Sequence, residues 1–212
     1  METIQIQLLL FITQIGLLYI ITRATLKRLF IYLSSVTQSK KLIYAFISTI
    51  YFPGTLLHET AHLAMATFLL LRVKEIQIFP KITGENTVKL GHVLYEKRGA
   101  VRGILVGAAP FFVGIIFFWS LTYLKLFPNP NLWLTIVFGY LIFAVSSTMF
   151  SSRQDLVDIL YAIPLVIMGI GIVYIFNLTA GFEELIRTIN LYLFFPLVIN
   201  FFIWVITIWL NR

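Results

Sequence analysis

Apolar residues run along this chain in blocks of about twenty, the length a helix needs to cross a hydrocarbon core of ~30 Å. The blocks fall at residues 4–22, 42–71, 100–124, 132–150, 156–176 and 191–210. They predict an all-α polytopic membrane protein of about six transmembrane helices. The first block has no positively charged stretch ahead of it at Met1-Glu2, so it reads as a retained span rather than a cleaved signal. After it, Arg23, Lys27 and Arg28 alternate with Leu26, Leu29, Phe30, Tyr32 and Leu33, the spacing of an interfacial amphipathic helix. The second block would extend about 45 Å as a helix, more than the bilayer core, and must tilt, kink or protrude. Pro53-Gly54 is its weak point. Pro128-Asn129-Pro130 separates the third block from the fourth.

Between Arg72 and Arg98 the pattern changes. Two β-branched runs, residues 73–79 and 87–95, are divided by Pro80, Gly84 and Asn86 and predict a β-hairpin at the membrane surface. No internal repeat, low-complexity tract or linker divides the chain, so residues 1–212 read as one integral membrane domain with its core at about 42–158.

Composition agrees with the pattern: 59% of the 212 residues are apolar and 12% charged, outside the range of a soluble globular domain. The net charge of +7 is spread through the gaps between apolar blocks. It makes no aromatic-interleaved basic face, which points to loops and lipid headgroups and away from nucleic acid. Lys and Arg occur on both sides, in residues 23–41 and 72–102, so charge does not fix the orientation. Cysteine is absent, so a thiol nucleophile, a disulfide framework and a Cys-based metal site are excluded.

Two of the three histidines lie in His58-Glu59-Thr60-Ala61-His62, within the second apolar block. Residues four apart share a helix face, so both imidazoles can hold one zinc ion, and the Glu beside the first reaches a water on that ion. Zinc brings the pKa of such a water to near 7, where a carboxylate can take its proton during attack on a carbonyl. The bland alternative is three polar residues satisfied by helix neighbours. At membrane depth, unpaired ionisable side chains are costly, and that weighs for a functional site with Glu59 as general base.

A catalytic zinc needs a third protein ligand. The chain has two Asp, Asp155 and Asp158, in and after the polar break Ser151-Ser152-Arg153-Gln154-Asp155. If the second block leaves the membrane at Leu71, two further spans return the chain to the same side at Ser151. Asp155 then approaches the histidines. It also fits a capping box, Ser152-x-x-Asp155, ahead of Leu156, and both roles stay open. Asp158, one turn further on, is the next candidate. His92 on its strand reads as a surface or satisfied histidine, and Glu183 and Glu184, before the last block, fall on the opposite side.

This order of features resembles the site-2 protease family of intramembrane zinc metalloproteases, over roughly residues 51–158. The resemblance implies a zinc held by two His and one Asp, here His58, His62 and Asp155, with Glu59 catalytic. The activity it implies is hydrolysis of a peptide bond of a membrane-anchored protein or peptide substrate within the bilayer. It also implies a multi-pass protein of the cell membrane with the hairpin on the cytoplasmic side. The chain departs from the family where Met149, Ser152 and Leu156 stand in place of Asn, Pro and Gly around the Asp. The third span reads Ala109-Pro110-Phe111-Phe112-Val113-Gly114 without the Asn of many relatives, so no transition-state hydrogen-bond donor carries over. Gly103-x-x-x-Gly107 with Ala108 and Ala109 predicts a close helix contact.

Two other readings compete. One is a membrane zinc peptidase of another family, completed by a Glu and acting on soluble or lipidated peptides. The other is a non-catalytic metal-binding protein or transporter, which has no need of a carboxylate beside the first His. The hairpin edge carries a further expectation, that it holds unwound substrate as an added strand; the alternative is a hairpin that only seals the loop.

Overall fold

Helices account for most of this computed structural model, which describes residues 2–77, 81–83, 87–89, 91–96, 99–150 and 152–210. Six helices occur among them: α1 (Glu2–Val36), α2 (Lys40–Phe68), α3 (Ala100–Tyr123), α4 (Leu132–Thr148), α5 (Arg153–Ile175) and α6 (Thr179–Trp209). Four segments are long and apolar enough to cross a membrane: Ile4–Val36, Ala100–Tyr123, Gln154–Ile175 and Gly181–Trp209. Helix α4 is apolar but only 17 residues long. Helix α2 is long enough but carries Lys40, Lys41, His58, Glu59 and His62, and is not one of the four.

The expected interfacial helix after residue 22 does not exist as a separate element, because α1 continues unbroken for 35 residues. No proline interrupts it, and its later half has tertiary partners. Leu26, Leu29, Phe30 and Leu33 pack on Ile43, Ile47 and Tyr51 of α2 and Phe143 of α4, so they meet protein rather than the membrane surface. Arg23 sits over the Tyr19 ring, 5.6 Å from its centroid. Helix α6 likewise begins at Thr179, which puts Glu183 and Glu184 on the helix and not ahead of it.

Buried polar side chains tie the long helices together. Asn190 of α6 donates to the Gln7 carbonyl and side-chain oxygens at 3.0 and 2.8 Å. Gln14 donates back to the Asn190 carbonyl at 3.2 Å, and Thr25 to that of Asn200 at 2.9 Å. The main apolar core, with Leu18, Phe111, Phe118, Ile142, Ile189 and Leu193 among its members, joins α1, α3, α4 and α6.

Helix α2 passes Pro53 without breaking. The adjoining Gly54 lets it touch α4, where an added Cβ would collide with the Ala144 carbonyl oxygen and Thr148 Oγ1. Of the two glycines expected to bring α3 against a neighbour, Gly107 does so, with its Cα against the Asp158 carboxyl group of α5. Gly103 faces open space.

The surface segment forms two antiparallel pairs. Strand β1 (Val73–Gln77) pairs with β4 (His92–Tyr95), in the register Gln77 to His92 and Ile76 to Val93, with an irregularity between Val73 and Glu75. Strand β2 (Lys81–Thr83) pairs with β3 (Thr87–Lys89). The second expected run is therefore split into β3 and β4, the first holds β1 alone, and β2 lies beyond it; Phe79, Pro80, Gly84 and Asn86 lie outside the described residues. The β1–β4 pair stands against α2, with Val73 and Tyr95 packed around Ala66, Leu71 and Val106.

Candidate metal and catalytic centre

One helix face and one helix start build the site. On α2, the four-residue spacing stacks His58 and His62 on the same side, with ring centroids 4.7 Å apart at an edge-to-face angle. Their Nε2 atoms lie 3.1 Å from each other. Asp155, in the first turn of α5, brings Oδ2 to 3.5 Å from His58 Nε2 and Oδ1 to 3.8 Å from His62 Nε2. The donor atoms of these three side chains all fall within 4.8 Å of one another. Two ligands bonded at about 2.0–2.1 Å to a tetrahedral ion stand about 3.3 Å apart, so the spacing matches what one zinc requires.

The surroundings hold this donor set in place. His62 Nδ1 is 2.8 Å from the Val106 carbonyl oxygen of α3, which can only accept, so Nδ1 carries the proton and Nε2 keeps its lone pair for a ligand. A backbone hydrogen bond to Thr148 of α4 serves His58. Asp155 does both things its sequence position allowed. Its amide N–H donates to Ser152 Oγ at 3.0 Å, and its Oδ2 accepts from the Ser152 amide at 2.8 Å, which completes a capping box. The same carboxylate faces the imidazoles. The cap thereby fixes its rotamer.

Asp158 lines the same cavity as these three side chains but stands outside the donor cluster: its Oδ1 accepts from Gln154 Nε2 at 2.9 Å, and its carboxylate rests on Gly107. Glu183 and Glu184 have no part in the cluster.

Glu59 is buried at 5% exposure beside the histidines. The hairpin closes over it, since a Cβ on Gly91 would stand 2.8 Å from Glu59 Oε1. Cavities open on both flanks of this carboxylate. One, of about 240 Å³, is shared with His58, His62, His92, Tyr95 and Asp155. The other, of about 320 Å³, runs between α1, α2 and α4 past Leu18, Arg23, Tyr51, Thr55 and Ser147. Burial, then the Asp158 and Asp155 carboxylates, raise the Tyr95 phenol above its usual range and keep it protonated.

His92, expected as a surface or satisfied histidine and not a ligand, is outside the donor cluster and has a half-buried side chain with Nε2 3.9 Å from Glu75 Oε2. Its ring lines the cavity it shares with Glu59, and its Nδ1 is buried with no hydrogen-bond partner among the described residues. The scarcity of histidine, three in the chain, was the only signal in the sequence that pointed to it.

Nothing matches this chain among family models, curated proteins or solved structures. The site's own geometry therefore carries the functional argument.

Proposed function

We propose that this protein is a zinc-dependent intramembrane endopeptidase of the site-2 protease type, acting on a membrane-anchored protein or peptide. One observation carries the reading. Two imidazole nitrogens from one helix and a capped carboxylate from another converge at metal-ligand spacing beside a buried Glu, in a bundle of apolar helices. The 3.1 Å approach of two imidazole nitrogens, with a carboxylate facing both, suits a shared cation.

The membrane reading extends to all six helices, with α2 and α4 as the more enclosed spans. Apolar side chains turned outward, such as Leu9 at 67% exposure, Ile167 at 63% and Phe194 at 60%, suit lipid and not water. Trp119 and Tyr123 end α3, Trp133 begins α4 and Trp209 ends α6, where aromatic rings meet the headgroups.

His58, His62 and Asp155 would hold zinc, which supplies Lewis acidity that polarises a carbonyl and acidifies a water. The chain's own groups do the rest. Val106 and Ser152 hold two of the ligands in orientation. Glu59 takes a proton from water as the water oxygen bonds to the scissile carbonyl carbon. It returns the proton to the amine nitrogen as the carbon–nitrogen bond breaks. Gly91, against Glu59, walls one side of the cavity in which that carboxylate works.

The test separates binding from catalysis. Purified in detergent, the wild type should carry about one zinc per chain and cleave an apolar membrane-anchored reporter peptide. Glu59→Gln should keep zinc and fold yet lose cleavage, because an amide cannot accept the proton. Cleavage by Glu59→Gln at the wild-type rate would refute the general-base role, and a wild type without zinc would refute the metal site.

A further inference from the structure

We infer that His92 is a catalytic residue of this site, donating a hydrogen bond from its ring to the oxygen of the scissile carbonyl as negative charge develops there. The inference rests on the peptidase reading above. It supplies the hydrogen-bond donor that the sequence leaves unassigned.

His92 opens β4, immediately after Gly91, the residue in contact with Glu59. The chain at 91–92 therefore lies directly over the general base. The imidazole lines the same cavity of about 240 Å³ as His58, Glu59, His62 and Asp155. It is not one of the three residues whose donor atoms cluster within 4.8 Å, so its place is beside the metal ligands and not among them. Its backbone is held by the pairing of His92 with Gln77 in the β1–β4 ladder.

Two features of the ring suit donation. Nδ1 is buried and makes no hydrogen bond among the described residues, and a buried polar atom left so costs stability unless a ligand satisfies it. Nε2 lies 3.9 Å from Glu75 Oε2, so that nitrogen has an acidic neighbour while Nδ1, a donor when it carries the ring proton, is left to serve a ligand. When the water oxygen bonds to the carbonyl carbon, the carbonyl π pair moves onto oxygen and the water proton goes to Glu59. A donor held in advance at that oxygen stabilises the transition state more than the ground state. The ladder fixes the backbone from which the His92 ring projects.

Two ligands that share a zinc-binding group requirement but differ in shape test this. The probes are an apolar phosphinic pseudodipeptide, whose tetrahedral anionic phosphorus group resembles the transition state, and an apolar peptide hydroxamate, which chelates metal without presenting that oxyanion. Loss of one such donor typically costs about 10²-fold or more in kcat. His92→Ala should therefore weaken the phosphinic probe by about 10²-fold while leaving hydroxamate affinity and zinc content unchanged. In cleavage of the reporter peptide, kcat should fall and KM hold. His92→Gln, which keeps an N–H donor, should recover part of the loss.

Equal losses for both probes would assign His92 a structural role and overturn the inference, as would an unchanged phosphinic affinity. Selective loss in Tyr95→Phe but not in His92→Ala would move the donor to Tyr95, with the same result. Failure of the peptidase reading looks different, because a wild type that binds neither zinc nor either probe fails before His92 is changed.

Discussion

Gly107→Ala places one methyl where α3 meets α5, and the structure sets what that must cost. Built on Gly107, the new Cβ would stand 2.6 Å from Asp158 Cβ and 2.5 Å from its Cγ. Carbon atoms rest at about 3.5–4.0 Å, so the two helices must part by about 1 Å. A side-chain rotation does not relieve the clash, since Asp158 Cβ is fixed to the α5 backbone. Asp155 stands one turn earlier on α5, and Val106, the carbonyl partner of His62, is the neighbour of Gly107 on α3. Metal–ligand distances tolerate about 0.2 Å, so a 1 Å displacement of the carboxylate loosens the site. The expected result is a fall in zinc affinity of about 10–100-fold, the usual cost of disturbing a ligand's support. Overpacking should also lower stability by about 1–3 kcal/mol. Competition with a chromophoric chelator measures the first, and thermal unfolding of the detergent-solubilised protein the second. Rescue identifies the cause. Adding Asp158→Ala removes the carboxyl but leaves the Cβ, so it should restore part of the affinity, whereas Asp158→Gly should restore more. Unchanged zinc affinity and melting in Gly107→Ala would refute the close approach of α3 and α5. A loss that Asp158→Gly does not repair would refute its assignment to this contact.

Three other outcomes follow from the same geometry. His58→Ala and His62→Ala should each lose most bound zinc, and the double variant all of it, by elemental analysis of the purified protein; retention in the double variant would remove both residues from the site. Asp155→Ala should weaken zinc far more than Asp158→Ala, because only Asp155 faces both imidazoles, and Ser152→Ala should cost about 1 kcal/mol of stability through the lost cap. Proline placed at alternate positions from Thr87 to Tyr95 should reduce cleavage at some sites while zinc content holds, if the strand edge receives substrate; uniform wild-type cleavage by the folded variants would rule that role out.

The sequence by itself determined the features that depend on near neighbours along the chain. Apolar blocks of helical length marked six helices, because hydropathy is a property of each segment alone. His58, Glu59 and His62 were legible as a unit for the same reason, since an α-helix puts residues four apart on one face whatever surrounds it. The Ser152–Asp155 capping box was also legible, being a contact across three residues. The β-branched runs announced β1, β3 and β4, though not β2 or the division into two pairs.

Tertiary structure decided what joins distant segments. The unbroken length of α1 follows from its partners on α2 and α4, which the local charge pattern could not reveal. Asp155 had two open roles because spacing cannot say what lies across a helix start; packing of α5 on α3 lets one carboxylate cap its own helix and face both histidines. Gly107 and Gly103 look alike in sequence, yet only Gly107 meets another helix. His92 is the clearest case. Its place beside Glu59 depends on the register of β1 with β4 and on the hairpin's seat against α2, contacts between residues far apart in the chain that no local periodicity encodes.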